Sequence, residues 1–169
     1  WGRNDHGELG NNTFHHEHTP QLVTLPSAST STAWTDITGG ESHFCAIDGA
    51  KDAWCWGENS DDRLGLDSAT NNFENIGQPS TAVAGNHQWT SLKASKSGTC
   101  GLTIHGELYC WGEAYGSSIL TTPTRVESFG VTWTRFVLGR RHVCALTANG
   151  ELYCWGQGTS GQLGDGTET

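Results

Sequence analysis

The stretch His142-Val143-Cys144-Ala145-Leu146-Thr147-Ala148-Asn149-Gly150-Glu151-Leu152-Tyr153-Cys154-Trp155-Gly156 decides the fold. Two short runs rich in β-branched, aromatic and cysteine residues flank Ala148-Asn149-Gly150. A three-residue loop ending in Gly is the signature of a β-hairpin with a type I turn and a left-handed bulge. Counting outward from the loop places Thr147 opposite Glu151 and Cys144 opposite Cys154. The same spacing recurs at Cys100 and Cys110 around Ile104-His105-Gly106, and at Cys45 and Cys55 around Gly49-Ala50-Lys51. In that copy Gly comes first, which leaves its turn type open. Directly opposed cysteines can bridge two strands, so the expected disulfides are Cys45–Cys55, Cys100–Cys110 and Cys144–Cys154. Six reduced thiols in an intracellular repeat protein are the alternative. No CxxC or HxxxH accompanies the pairs to suggest zinc.

Outward from the hairpin, the whole chain repeats. Trp-Gly recurs at Trp1, Trp56, Trp111 and Trp155, in steps of 55, 55 and 44 residues. A second series, Trp34, Trp89 and Trp133, always precedes the first cysteine of a pair by 11 residues. All length variation falls between Trp-Gly and this second Trp, where loops are expected. That variable part opens on Gly7-Glu8-Leu9-Gly10 and Gly161-Gln162-Leu163-Gly164. The second copy has Asp62 before Leu64-Gly65, and the third copy has lost most of the motif. A Pro then leads into a short apolar run, as in Pro20 to Val23, Pro79 to Val83 and Pro123 to Val126. About four short strands per repeat, and no amphipathic helix, predict an all-β chain of propeller-type blades. The units are 1–55, 56–110, 111–154 and the start of a fourth, 155–169. Three blades are too few to close a propeller, so the expectation is an open segment or protomer of something larger.

Leu152 to Gly156 with Gly161 to Gly164, the Pro positions and His-x-Cys-Ala-Leu resemble the repeat of the regulator of chromosome condensation family. The resemblance runs over essentially the whole chain and implies a β-propeller, seven-bladed in members of the family. The paired cysteines resemble those of its secreted members. The nuclear founder of the family exchanges nucleotide and binds the nucleosome. Neither activity carries over, because no long inserted wedge is visible and the chain is acidic.

The 169 residues hold 9 Lys and Arg against 18 Asp and Glu, a formal charge of −9. This argues against nucleic acid, whose binding needs basic surface, and against an anionic membrane. No apolar run approaches the 18 or so residues that would insert in a bilayer. Gly is abundant, with 23 residues, and 8 Trp must build the core.

Catalysis finds no support: no nucleophile elbow, phosphate loop or HExxH is present. His43 and His142 share a register two residues before a cysteine and read as packed structural residues. His15, His16 and His18, near His6, form a dense cluster in which His16 and His18 are weak metal candidates. Asp61, Asp62 and Asp67 are a similar weak case for calcium. No cofactor is expected. Asn11-Asn12-Thr13 is a glycosylation sequon, and Ser27 to Thr32 is either linker or O-glycosylated. Arg135, Arg140 and Arg141 are a basic cluster placed to pair with a neighbouring blade or subunit. These readings point to a non-enzymatic extracellular structural or adhesive repeat protein, such as part of a fibre, whose partners are its own copies, further repeats or other extracellular proteins. The alternative is a secreted propeller that binds a protein through its rim loops.

Overall fold

The computed structural model describes residues 1–67, 75–116, 118–127 and 130–168. Among them the chain forms three antiparallel sheets of short strands. The first holds β1 (Trp34–Gly39), β2 (His43–Asp48), β3 (Ala53–Glu58) and β4 (Asn75–Ile76) in that order. The second holds β5 (Trp89–Ala94), β6 (Gly98–Thr103), β7 (Leu108–Gly112) and β8 (Leu120–Arg125). The third holds β9 (Trp133–Leu138), β10 (His142–Thr147) and β11 (Leu152–Gly156), three strands among the described residues. Each four-stranded sheet therefore takes its last strand from beyond the Trp-Gly that opens the next sequence repeat. The first strands β1, β5 and β9 lie side by side along the series, so the sheets fan about that line as propeller blades do.

In all three hairpins the register sets cysteine against cysteine: Cys45↔Cys55, Cys100↔Cys110 and Cys144↔Cys154. Each opposed pair is a disulfide, with Cα atoms 4.0–4.1 Å apart. The turns are also alike. Lys51, Gly106 and Gly150 each donate a backbone hydrogen bond of 3.1 Å to Asp48, Thr103 and Thr147 respectively. Lys51 takes φ of 73°, against 75° and 83° for the two glycines. The sequence of the first hairpin left its turn open; Asp48 decides it. Its buried carboxylate accepts from the backbone N–H of Ala50 and Asp52, the Ser29 hydroxyl and the Trp54 indole. Four donors on one carboxylate hold Lys51 in a conformation that a Cβ disfavours. Lys51→Gly is therefore expected to raise stability by about 1 kcal/mol, read as a shift in denaturation midpoint.

The hairpin tips also join blade to blade. The N–H of Trp89 donates to Lys51 O and that of Trp133 to Gly106 O, both at 2.9 Å. Trp56, Trp89, Trp111 and Trp133 are buried, while Trp34 and Trp155, on the outer two blades, are half-buried. Withdrawing one such ring from water contributes roughly 4–6 kcal/mol before entropy. One apolar cluster joins the first two blades and a second joins the last two, so the core lies between blades rather than inside them.

The strands expected after proline depart from the sequence reading. Pro123 lies inside β8, an outermost strand, where a missing N–H faces no neighbour. Pro20 to Val23 forms no strand, and Leu22 is 82% exposed. No described strand lies beside that segment to take its hydrogen bonds. Near Pro79 only a single bridge forms, between Trp54 and Ala82.

Candidate functional site

The loops that follow the first two Trp-Gly pairs are each built around a buried asparagine. Asn4 Oδ1 accepts from Leu9 N at 2.8 Å, and Asn59 Oδ1 from Leu64 N at 3.1 Å. Two successive turns then close the loop, through Gly7 N to Asn4 O and Gly10 N to Gly7 O. The second copy repeats them with Asp62 in place of Gly7, at φ of 53°. Sequence reasoning missed these asparagines, although both stand three residues after Trp-Gly's Trp. The fourth copy has Gly158 there.

This loop roofs the next blade. The indole of Trp56 lies against Gly10 and that of Trp111 against Gly65. Trp56 Nε1 also donates to Glu8 O at 2.9 Å. Between the first two blades a polar latch sits beside these rings. The guanidinium of Arg63, 5% exposed, pairs with Glu58 at 2.9 Å and Asp61 at 2.5 Å. It also donates to Ser60 Oγ and Lys96 O. Between the second and third blades the short connection has no such arginine. There Glu113, at the Glu58 position, pairs with Arg141 from the next blade at 2.7 Å.

His43 belongs to the same latch. Its ring packs on Gly40, as that of His142 packs on Gly139. The Thr99 hydroxyl donates to Arg63 O, so His43 Nε2–H donates to Thr99 Oγ1, 2.9 Å away. Nδ1 is buried without a partner. Burial foremost, with the nearby Arg63 charge, pushes the imidazole down to about 3. It is a neutral strut across the blade junction and cannot serve as a base near neutral pH. An unfolded histidine takes its proton near pH 6.5, the folded one only near 3. Stability is thus full above pH 6.5 and falls as the pH drops towards 3, by up to about 1.4 kcal/mol per pH unit. Urea midpoints measured from pH 7 to 5, above the carboxylate range, are expected to show this slope and to lose it in His43→Asn.

The other candidates separate. His16 Nδ1 accepts from Asn4 N at 3.2 Å, and its Nε2 lies 3.6 Å from Asp5. His18 is exposed, and His6 faces Glu8. Among the described residues no three metal-ligating side chains converge, around His16 and His18 or around Asp61, Asp62 and Asp67. Asn11 is half-buried, and its side-chain oxygen accepts from the Thr13 N–H and hydroxyl. The segment 27–32 is anchored rather than free: Ser29 donates to Asp48, and Ser31 accepts from Gly49 N. Of the three arginines, Arg141 alone forms an ion pair among the described residues.

Stacked four-stranded blades stapled by hairpin disulfides, with Trp-on-Gly contacts between them, define a β-propeller segment. The sequence model of the regulator of chromosome condensation repeat matches residues 1–47 and again 133–162. These two segments are regulator of chromosome condensation repeats. Among solved structures, human WBSCR16 superposes with a TM-score of 0.81 at 19% identity, over 99% of this chain and 44% of its own. Prp20p from Saccharomyces cerevisiae, described with its binding to Gsp1p and histones, gives 0.79 at 24% over 99% and 42%. The ectodomain of the Physcomitrella patens receptor kinase CR4 gives 0.53 at 21% over 80% and 34%. The chain thus spans less than half the length of these proteins. No curated protein sequence matches it.

Proposed function

We propose that this chain is a protein-binding propeller module that works outside the cell, stapled by its three disulfides, and that it binds rather than catalyses. The supporting observation is the repeat itself, a set of blades of constant hairpin length whose variation in length falls in the connections between Trp-Gly and the next first strand. Proteins of the same fold bind proteins: Prp20 has been crystallised with Kap60 and characterised with Gsp1p and histones. None of those partners is assigned to this chain, which is 24–25% identical to Prp20 and spans 42% of its length. The three hairpin disulfides favour an oxidising compartment.

A second reading, assembly of copies into a larger extracellular structure such as a fibre, is favoured by two unpaired elements. β11 has no further strand on its outer side among the described residues, and Pro20 to Val23, whose counterpart supplies β8, lies unpaired. Head-to-tail pairing of these two would be heterologous and could propagate.

Mass spectrometry of the protein from its natural source tests the compartment. Under denaturing conditions, reduction is expected to add the mass of six hydrogen atoms, with sugar carried at Asn11. Free thiols in unreduced material would overturn the extracellular assignment. Affinity capture from extracellular fluid, with sedimentation across a concentration series, then separates a discrete complex from a growing polymer. A chain that remains a monomer and captures no protein would overturn both readings.

A further inference from the structure

The second and third blades carry the same box of three rings. In the second, Trp89 lies 5.9 Å from Tyr109 at 83° and 5.5 Å from Trp111 at 58°. In the third, Trp133 lies 5.7 Å from Tyr153 at 85° and 5.8 Å from Trp155 at 38°. The box of the second blade is filled from within the chain. His87, two residues before Trp89, stands 4.2 Å from the Tyr109 ring and 5.5 Å from that of Trp89. Two residues before Trp133 stands Val131, which has no ring to offer.

The connection into the third blade is also shorter. Trp111 to Trp133 is 22 positions, against 33 from Trp56 to Trp89. Among the described residues the Gly65 loop that roofs Trp111 therefore has no counterpart over Trp155, where the connection brings the edge of Tyr115 to 6.3 Å. A cleft of about 460 Å³ remains among Tyr115, Val126, Val131, Trp133, Tyr153 and Trp155. Arg125 and Glu127 also line it. Arg125 is committed to Glu107 at 3.0 Å, whereas Glu127 has no ion-pair partner among the described residues.

We propose that this cleft takes a cationic side chain, arginine above all, from an extended segment of a protein partner. Three observations converge on it. The matching box already holds a planar nitrogen ring, that of His87. The electron-rich faces of indole and phenol attract a cation brought within about 6 Å. The uncompensated charge on the wall is the Glu127 carboxylate, and the chain as a whole, at −9, draws in basic partners. The inference deepens the protein-binding reading and rests on it.

The test uses the full chain and the peptide acetyl-Gly-Arg-Gly-amide, followed by the indole N–H signals in nitrogen-15 spectra. Its partner is the same peptide with citrulline, which keeps the shape and removes the charge. Saturating shifts at Trp133 and Trp155 are expected with arginine, and binding at least about five-fold weaker with citrulline. Glu127→Gln is expected to weaken arginine binding and reduce its salt dependence. Tyr153→Leu, on the exposed edge strand, should weaken it while the other indole signals stay in place. Equal binding of both peptides, or no indole shift in the millimolar range, would overturn the proposal. Protein capture with no peptide binding overturns the cleft alone. Peptide binding by a chain that captures no protein overturns the wider reading alone.

Discussion

Reduction is expected to unfold this protein, and to do so in a fixed order. Each disulfide joins residues ten apart and so closes a loop of about 11 residues, which contributes roughly 2.5–3 kcal/mol by the chain-entropy model. Three together amount to about 8 kcal/mol, comparable with the entire stability of an ordinary domain. Cys45, Cys55, Cys100 and Cys110 are at most 1% exposed, whereas Cys144 and Cys154 are half-buried. A reductant titration with alkylation and mass mapping should therefore show Cys144–Cys154 opening first in the native fold. The other two should open only together with loss of the native tryptophan fluorescence. Three equal rates in native buffer, or unchanged fluorescence after complete reduction, would contradict the stapled-hairpin account.

The second large effect is expected at Gly65. Its φ is +66°, and a Cβ there would lie 2.7 Å from the indole of Trp111. Gly65→Ala then combines a left-handed backbone with overpacking of a fully buried ring, about 2–4 kcal/mol in all. Gly164 occupies the same motif position with φ of +70° and nothing within 4 Å of the added Cβ. Gly164→Ala should cost only the backbone part, about 1 kcal/mol. Equilibrium unfolding of the two variants isolates the Trp-on-Gly contact as their difference. Equal losses would show that the loop does not hold the blades together.

Much of what distinguishes the two blade junctions follows from variation within the repeat. The first connection brings Arg63 to Glu58 and Asp61, and places His87 among the rings of the second blade. The second connection lacks both residues. Arg141 crosses from the next blade to Glu113, but among the described residues only Tyr115 reaches the rings, at the edge of Trp155, and a cleft results. The arginine cluster was visible in the sequence as a group apt to pair with a neighbour. Which arginine pairs, and with what, depended on the shortened loop.

The sequence by itself determined the hairpins and their cysteine register. The signals are local: a turn of fixed length sets which residues face each other, and a ten-residue spacing leaves little freedom. The period of the tryptophans likewise determined the blade class, because each ring buries a large apolar area at a fixed place in every repeat. Only the tertiary structure decided what the long-range contacts make. Lys51 takes a glycine's conformation because Asp48, Ser29 and Trp54 converge from three segments. His43 stays neutral because the second blade buries it against Thr99 and beside the Arg63 charge. His16 and His18 part because Asn4 takes the first of them. Pro20 to Val23 carries the same proline signal as β8 but forms no strand. A strand needs a partner to accept its hydrogen bonds, and a partner is a property of the assembled fold rather than of the segment.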